Sequence, residues 1–596
     1  MHFDVAFVTY QSSAWLDGLF ESLQNADYDK KQLHLYFCDN ASKDDTVEKL
    51  EAYQKTMGER FGDFVVWKSQ TNMGFGKGNN LCASLGSSPY LLMLNIDTSL
   101  YPDTLNELVS AIQADERSTA AMWELRQFPY EHPKIYDVLT GETSWASGAC
   151  FAIKRSVYEQ IGGFDESFFM YAEDVDLSWR VRLAGYCIRY VPKAVINHYC
   201  YQTAGEIKPL QYLYSLIGNV HMRCKYGTSL QVRQGLRLSL AHVYRNQPPF
   251  PGARKQWLKA LWENRKILRQ SRAWYRAHRQ RIGQCAFQFL QFDYEHTRKG
   301  AFWACSQPGT YPKVSVIVRT CGRPDILRET LISLRRQTYP NIEIVIVEDG
   351  PDVSAEMLRQ EFADLPIVYK ATGNKVGRCV AGNEAMSMAS GEYFNFLDDD
   401  DVFFADHVET LVSALQRNPG YRAAYALAFE TPVAVESTTP YRYSISEYRS
   451  TLDEPFSRPE LLYHNLFPIQ SVLFSRALYE RYGGFSTELD VLEDWDLWIR
   501  YALDNPFLYV PKTTSQYRTP ADLSIRESRA AALDNAYACL KEKNAHRTIS
   551  MTGAELEEEI KNAPFLQRQC FNKASITQSE TLPLALARKI YHSIFH

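Results

Sequence analysis

The chain of 596 residues has no run of 18 apolar residues, and its twelve cysteines are scattered singly, without a Cys-x-x-Cys pair. The first absence predicts that the chain does not span a membrane. The second predicts reduced thiols in a cytoplasmic compartment and argues against a structural zinc site. The N-terminus also lacks a basic segment followed by a long apolar run, so we expect no signal peptide.

What the sequence does contain is one order of motifs written twice, about 310 residues apart. An apolar opening strand is followed by an aspartate after the next strand, an Asn/Gly loop, an acidic segment and a Glu-Asp pair. The matched positions are Thr9 and Thr320, Asp39 and Asp349, Asn95-Ile96-Asp97 and Asp398-Asp399-Asp400, and Glu173-Asp174 and Glu493-Asp494. A repeat this long indicates two whole domains, because solenoid repeats have periods of roughly 20–50 residues.

In both repeats, short apolar strands alternate with amphipathic helical segments, which predicts an α/β fold with a parallel sheet. The predicted strands are Val5–Thr9, Leu33–Cys38, Val65–Trp67 and Tyr90–Leu94, then Val314–Val318, Glu343–Val347, Ile367–Tyr369 and Tyr393–Leu397. We therefore divide the chain into a first domain (1–205), a helical basic connector (206–312), a second domain (313–520) and a helical C-terminal segment (521–596).

The connector is strongly basic. From Arg233 to Arg281 it holds thirteen Lys or Arg residues and one acid, Glu263, with tryptophans between them. Helical spacing is predicted across Lys255–Gln280. The segment is either a solvated connector or a surface for anionic lipid or a lipid-linked pyrophosphate acceptor. Nucleic acid is a poor alternative, since no DNA- or RNA-binding motif accompanies the charge. The amphipathic tail 584–595 either rests on a membrane or caps the second domain.

Ligands of open parallel sheets bind at the carboxyl ends of the strands. Thr9, Asp39, Thr320 and Asp349 stand at such ends. A carboxylate there accepts hydrogen bonds from a uracil or thymine imide or from a ribose hydroxyl. The alternative is an ordinary Asx turn, because Asp39-Asn40-Ala41-Ser42 also has turn composition.

Two glycine-containing loops occupy matched places in the repeat. One carries Asn72 and Gly74, and the other carries Asn374 and Gly377. Small residues let the backbone approach a bound ligand, and each loop opens a predicted helix. A single loop of this kind is weak evidence for a ligand site, but two loops at matched places of the repeat favour one.

The acidic segments discriminate best between functions. Asp398 to Asp401 follow an apolar run, so four carboxylates crowd one strand end. Their repulsion is costly unless a cation neutralises it, and hard oxygen ligands favour Mg²⁺ or Mn²⁺ held together with substrate phosphates. The first repeat has only Asp97 beside the neutral Asn95, and His198 is a candidate additional ligand. A lone histidine is as often structural.

Asp174 and Asp494 begin apparently amphipathic helices, each a short distance after a Gly-Gly-Phe segment. Acids at a helix N-terminus stabilise the helix dipole by roughly 0.3–1 kcal/mol, which is reason enough for their presence. A carboxylate beside a cation site is also what a general base requires.

Taken in this order, the motifs make both repeats resemble the family 2 inverting glycosyltransferases with the GT-A fold, a Rossmann-like fold for nucleotide-diphospho-sugars. The first repeat is similar to the rhamnosyltransferase-like branch and the second to the branch with O-antigen and capsule enzymes. The resemblance implies a nucleotide-sugar donor bound by the residues Thr9, Asp39, Asn72, Gly74, Thr320, Arg323, Asp349, Asn374, Gly377 and Asp398. It implies Mn²⁺ or Mg²⁺ at Asp97, His198, Asp398 and Asp400, with Asp174 and Asp494 as the catalytic bases of a single inverting displacement.

Two departures concern the repeats themselves: Asn95 replaces an acid, and Gln516-Tyr517-Arg518 stands where the first repeat has His198. We expect a bifunctional cytoplasmic enzyme at the inner face of the membrane. It would use dTDP-, UDP- or GDP-sugars to extend a bacterial surface glycan on a lipid-linked acceptor. The alternative is one active domain beside an inactive glycan-binding or scaffold domain. A nucleotidyltransferase is disfavoured, because Arg323 is the only basic residue of the loops after the opening strands.

Overall fold

The computed structural model describes residues 1–132, 134–199, 208–244, 250–300, 303–489, 491–548, 550–561 and 563. These residues form two compact units, the first unit ending at Thr297 and the second beginning at Arg298. The amphipathic tail expected at 584–595 lies outside the described residues.

The first unit is an α/β domain followed by four helices. Its elements are β1 Phe3–Thr9, α1 Ser13–Asn25, β2 Leu33–Asp39, α2 Thr46–Met57, β3 Asp63–Lys68, α3 Phe75–Leu85, β4 Tyr90–Leu94, β5 Thr98–Leu100, α4 Thr104–Gln113, β6 Ala120–Phe128, β7 Glu142–Thr143, β8 Cys150–Lys154, α5 Arg155–Gln160, α6 Glu173–Leu183, β9 Cys187–His198, α7 Pro209–Tyr226, α8 Ser229–Tyr244, α9 Ala253–Glu263 and α10 Arg265–Gln284.

The second unit repeats the α/β domain. Its elements are β10 Val314–Thr320, α11 Pro324–Arg335, β11 Ile342–Glu348, α12 Ala355–Glu361, β12 Ile367–Ala371, α13 Arg378–Met388, β13 Tyr393–Phe396, β14 Val402–Phe403, α14 His407–Arg417, β15 Ala423–Thr438, β16 Tyr441–Ile445, α15 Arg458–Leu461, β17 Val472–Ser475, α16 Arg476–Tyr482, α17 Glu493–Ala502, β18 Phe507–Pro520, α18 Leu523–Ala545 and α19 Gly553–Lys561.

The two sheets have the same topology. Their strand orders are β3-β2-β1-β4-β8-β6-β9-β5 and β12-β11-β10-β13-β17-β15-β18-β14. All eight strands expected from apolar runs are present. In each sheet the four predicted strands are parallel to one another, as in the pairing of β1 with β2 and with β4. The remainder of each sheet is mixed, because β8 and β17 run antiparallel to β4 and β13. The parallel pairing expected from the sequence thus holds for the predicted strands, and the other half of each sheet, for which no strands were predicted, is mixed.

The parallel strands read as continuous apolar runs because helices cover both of their faces. In the first unit Phe7 and Phe37 stack at 4.5 Å between ring centroids and are fully buried. Each such ring contributes about 1.5–3 kcal/mol through burial. The loop before α3 requires glycine, since Gly74 has a φ of +87° and a Cβ there would lie 2.4 Å from the carbonyl oxygen of Phe169.

Helices α7–α10, which cover the basic segment, belong to the first unit. Tyr226 of α7 and Ile282 of α10 share a buried apolar cluster with Trp179 of α6. No described helix combines the length and the apolar character needed to cross a membrane.

In each unit a basic residue that follows the sheet in sequence forms an ion pair with a buried aspartate of the helix that bears the Glu-Asp pair. Asp176 of α6 lies 2.6 Å from Nζ of Lys225 on α7. Asp496 of α17 lies 2.6 Å from Nη2 of Arg547, just beyond α18. Burial alone would raise the pKa of both acids, but these cations and the neighbouring arginines hold the pKa of each below its ordinary value. The repeat thus extends past the last strand of each sheet.

Candidate active sites

The first donor-side pair lies at the carboxyl ends of β1 and β2. Thr9 and Asp39 are the last residues of these strands and are paired in register. The Thr9 hydroxyl donates to Oδ1 of Asp39 at 2.9 Å, and the amide of Ser42 donates to Oδ2 at 2.9 Å. The carboxylate is therefore buried and held in a fixed orientation.

The register of the second sheet corrects the match made from sequence. Thr320 pairs with Glu348, the last residue of β11, and not with Asp349. Glu348 is fully buried and accepts hydrogen bonds from the amides of Gly322 and Ser354, at 3.2 and 3.1 Å. Glu348 is therefore the structural counterpart of Asp39. The sequence alignment was one residue out at this point, because it gave priority to aspartate over the strand end.

Asp349 corresponds instead to Asn40, and both anchor the glycine loop. Oδ1 of Asp349 accepts from the amide of Val376 at 2.6 Å, and Oδ2 accepts from the amide of Gly377 at 3.1 Å. In the first unit Nδ2 of Asn40 donates to the carbonyl of Gly74 at 3.1 Å. The donor-binding role of Asp349 stays a prediction, and its contacts assign it to the loop.

The asparagines of the two glycine loops differ in their contacts. Oδ1 of Asn72 accepts from the amide of Gly74 at 2.9 Å, so this side chain stabilises its own loop. Asn374 is exposed, and its carbonyl accepts from the hydroxyl of Thr372 at 2.7 Å. Gly377 has a φ of +96°, matching Gly74 in the left-handed region. Both loops therefore lead into their helices, α3 and α13, in the same way.

Asp97 and His198 meet at the cation side of the first site. Nε2 of His198 lies 3.5 Å from Oδ1 of Asp97, and Nδ1 lies 2.8 Å from Oε1 of Gln127. Burial would raise the pKa of Asp97, but the imidazole holds it below its ordinary value. That lowering belongs to the protonated imidazole, whose Nε2 faces Asp97; in the neutral imidazole with Nδ1 donating to Gln127, the buried Nε2 offers a lone pair to a cation instead. An oxygen and a nitrogen that converge in this way fit a divalent cation.

In the second site two arginines form ion pairs with the acidic residues Asp398, Asp399 and Asp400. Arg319 donates to both oxygens of Asp398 at 2.8 Å, whereas Asp399 accepts from the Thr320 hydroxyl at 2.7 Å and also binds Arg323. Asp400 is 34% exposed, with Nη1 of Arg323 at 3.4 Å. Of the two predicted cation ligands of this site, Asp398 has both oxygens bonded to Arg319, whereas Asp400 keeps more of its carboxylate accessible. One accessible carboxylate fits a metal that is held mainly by substrate phosphates.

Asp174 is fixed at the carboxyl end of β4. Its Oδ2 accepts from the amide of Gly148 at 2.8 Å. Gly148 lies two residues before β8, and the first residue of β8, Cys150, pairs with Leu94 at the end of β4. Burial raises the pKa of Asp174 above its ordinary value. Burial and the Asp174 charge together raise the pKa of Glu173 well above its ordinary value. A partly exposed carboxylate with a raised pKa suits proton abstraction.

Asp494 has the same place in the second unit, at the start of α17. The amide of Asn465 donates to its Oδ2 at 3.0 Å. Burial and the neighbouring Glu493 raise the pKa of Asp494 to about 7. The second site therefore holds a carboxylate whose pKa is raised toward neutral pH, as a general base requires.

Sequence reasoning missed four residues that shape these sites: Glu348, Arg319, Gln127 and Asn465. A strand-end alignment that accepted Glu in place of Asp would have found Glu348. Arg319 was visible next to Thr320, as the one charged residue of Val314–Thr320. Gln127 and Asn465 had no signal, because they lie in segments that the repeat does not match.

The comparison with known families agrees with this geometry. Residues 4–176 and 315–476 match Glycosyl transferase family 2, and together they make up more than half of the chain. The chain belongs to this family. The resemblance and the fold class expected from the sequence, two tandem GT-A domains, are thereby confirmed.

Individual relatives match parts of the chain. An uncharacterized glycosyltransferase of Rickettsia prowazekii is 26% identical over 197 residues, 32% of this chain and 58% of that protein. The N-acetylglucosaminyl-diphospho-decaprenol L-rhamnosyltransferase of Mycobacterium tuberculosis is 40% identical over 88 residues, 15% of this chain and 26% of that protein. The chain spans only 58% of the length of the first curated relatives that it matches. The crystal structure of residues 1–349 of S. aureus TarS has a TM-score of 0.32 and 17% identity, covering 48% of this chain and 88% of that one.

Proposed function

We propose that the chain is a bifunctional inverting glycosyltransferase, with one active site in each unit. The observation that carries the proposal is the repeated base: Asp174 and Asp494 each begin a helix, are partly exposed and have raised pKa values. In the same units a buried acid, Asp39 or Glu348, ends the second strand of the sheet.

In this mechanism the carboxylate of Asp174 or Asp494 takes the proton of an acceptor hydroxyl while that oxygen attacks the anomeric carbon. The bond from that carbon to the nucleoside diphosphate breaks in the same step, so the anomeric configuration inverts and no sugar–enzyme bond forms. Asp39 and Glu348 orient the base or ribose of the donor from their buried positions. The amide of Gly148 and the side chain of Asn465 keep the two bases oriented.

Mn²⁺ or Mg²⁺ is proposed at both sites. When bound, it neutralises the charge of the departing diphosphate. In the first site Asp97 and His198 would hold it, and in the second Asp400 would hold it together with donor phosphates. Arg323, which is 43% exposed and pairs with Asp399 and Asp400, is close enough to the acidic run to share this diphosphate charge.

The donor, acceptor and location are the finer part of the proposal. We infer a dTDP-, UDP- or GDP-sugar as donor and a growing bacterial surface glycan, of O-antigen or capsule type, as acceptor. The partial match to a rhamnosyltransferase with a diphospho-decaprenol acceptor supports a lipid-linked acceptor. Such an acceptor favours a cytoplasmic enzyme at the inner face of the membrane.

Helices α9 and α10 support a peripheral membrane contact. Trp262 and Leu258 are 55% and 42% exposed on α9, and Lys255, Lys259 and Lys266 are exposed around them. Arg272 has a different role: its Nη2 donates to Oγ of Ser229 at 2.9 Å, and the residue is buried. Changing Lys255, Lys259, Lys266 and Arg269 to glutamine should therefore weaken sedimentation with anionic vesicles of phosphatidylglycerol. As a control, the same change at Arg328, Arg335, Arg359 and Lys370 in the second unit should not. Unchanged sedimentation of the first variant would contradict the membrane contact.

The first experiment measures nucleotide release from UDP-, dTDP- and GDP-sugars with Mn²⁺ and a lipid-linked acceptor, for the wild type, Asp174→Asn and Asp494→Asn. Loss of a different donor activity in each variant supports two active sites. If Asp174→Asn changes nothing and Asp494→Asn removes all release, the first unit is a binding or scaffold domain, as in the alternative.

A further inference from the structure

Arg319 of β10 connects two motifs that are far apart in the chain. Its Nε and Nη2 donate to the two oxygens of Asp398, both at 2.8 Å, and its Nη1 donates to Oε1 of Glu493 at 2.8 Å. The side chain is 7% exposed, and its guanidinium lies 5.2 Å from the ring centroid of Phe485. All three donor nitrogens thus point at acids, and an aromatic ring supports the guanidinium plane.

The first unit lacks two of the three members of this bridge. Thr9 and Thr320 both end their opening strands, so Arg319 corresponds to Val8. The pairing of β1 with β4 and of β10 with β13 makes Asp398 the counterpart of Asn95. An arginine and an acid in the second unit therefore replace a valine and an amide in the first. The third member, Glu493, keeps its counterpart, Glu173.

We propose that Arg319 is a positioning residue of the second site, which ties the helix carrying Asp494 to the acidic run after β13. Asp398 is then the matched partner of Arg319 and not the main metal ligand, and Asp400 holds the cation. This inference rests on the proposed function of that site. The first site has no such bridge because its counterparts, Val8 and Asn95, carry no charge.

The bridge is suited to this task because it is charged and because two of its members, Arg319 and Glu493, are buried. A bidentate guanidinium–carboxylate pair fixes an angle as well as a distance, and the third bond to Glu493 transmits that angle to the first turn of α17. Removing the arginine alone leaves the buried Glu493 (5% exposed) and the partly exposed Asp398 (28%) without their cation, and stranding the buried acid is the costly way to break such a pair. Removing Arg319 and Asp398 together recreates the neutral pair of the first unit.

The test uses the full chain with Asp174→Asn, so that only the second site turns over. Hydrolysis of UDP-glucose, UDP-N-acetylglucosamine, dTDP-rhamnose and GDP-mannose is followed with Mn²⁺ in four further variants. Arg319→Val should lower kcat at least 50-fold while KM rises less than threefold. Arg319→Lys should keep more activity than Arg319→Val. Arg319→Val with Asp398→Asn should recover at least tenfold over Arg319→Val. The matched control is Arg328→Val on α11, which removes a bidentate pair with Glu361 of α12, and it should stay within twofold.

An Arg319→Val variant within threefold of its parent would overturn the positioning role. A double variant as inactive as Arg319→Val would show that Asp398 is needed for itself and would overturn the matched pair. Melting temperatures give a readout without turnover: Arg319→Val should melt about 5 °C or more lower, and the double variant should regain at least half of that shift. If no donor is hydrolysed even by the parent, the proposed function fails. The melting comparison then decides the Arg319–Asp398 pairing by itself.

Discussion

The two units have the same strand order but neutralise their cation sides in different ways. The first unit places one carboxylate, Asp97, beside the imidazole of His198, whose other ring nitrogen contacts the Gln127 amide. The second concentrates acids after β13 and interleaves them with Arg319 and Arg323. The difference teaches that this fold fixes where charge must be balanced and leaves open which side chains balance it. The following predictions test the comparison by changing the proposed bases, the proposed cation ligands and a residue that orients one of the bases.

The largest effect is expected at the bases. Asp174→Asn and Asp494→Asn should each lower transfer at its own site about 10²- to 10⁴-fold, because an amide cannot accept the acceptor's proton. Donor affinity, measured by titration with the nucleoside diphosphate and Mn²⁺, should change less than threefold. Each variant is the control for the other. Loss of donor binding would make the affected aspartate structural.

Metal dependence should come next. Asp97→Ala or His198→Gln should raise the Mn²⁺ concentration for half-maximal activity at the first site about 10- to 100-fold, since each removes one of two converging ligands. Asp400→Ala should do the same at the second site. Asp398→Asn should have a smaller effect on the Mn²⁺ requirement, because Arg319 already occupies both oxygens of Asp398. Equal effects at Asp398 and Asp400 would contradict that distinction.

The second site should show an acid limb near pH 7. Asp494 must be ionised to act, and its pKa is raised to about 7, so activity should fall about tenfold for each pH unit below that value. The same raised pKa means that the folded chain binds an extra proton between about pH 4 and 7, so this group destabilises the fold as pH rises through that window. The melting temperature of Asp494→Asn relative to wild type should therefore be higher at pH 8 than at pH 5. A pH-independent difference would refute the shift.

The smallest effect is expected at the residue that orients the second base. The Asn465 amide stabilises the ionised form of Asp494, so Asn465→Ala should move the acid limb to higher pH by less than one unit. The loss of activity at pH 7 should be a few fold and should disappear at pH 9. At the first site the backbone amide of Gly148 donates to Asp174 in place of an asparagine side chain, so Asn465→Ala should leave the pH profile of that site unchanged.

The sequence predicted the parts of these sites that are local. Eight strands could be found because helices cover both faces, so each appears as an unbroken apolar run. Asp97, Asp174, Asp400 and Asp494 could be placed because they follow strands or start helices. The pairing of Arg319 with Glu493 could not, since it joins residues 174 positions apart through side-chain geometry. The sequence match of Asp39 with Asp349, where the structure has Glu348, failed for a similar reason: only the hydrogen bonding between strands determines which residue lies beside Thr320.

The cations that complete Asp176 and Asp496 also determine how the chain can be divided. A fragment ending at residue 205 would contain α6 but not Lys225, and a fragment ending at residue 520 would contain α17 but not Arg547. In both cases a fully buried aspartate would lose a cation that balances it. Fragments made to separate the two proposed activities should therefore retain α7 with the first sheet and α18, through Arg547, with the second. A cut placed at the last strand would remove an ion pair that stabilises α6 or α17, the helices that carry the proposed bases.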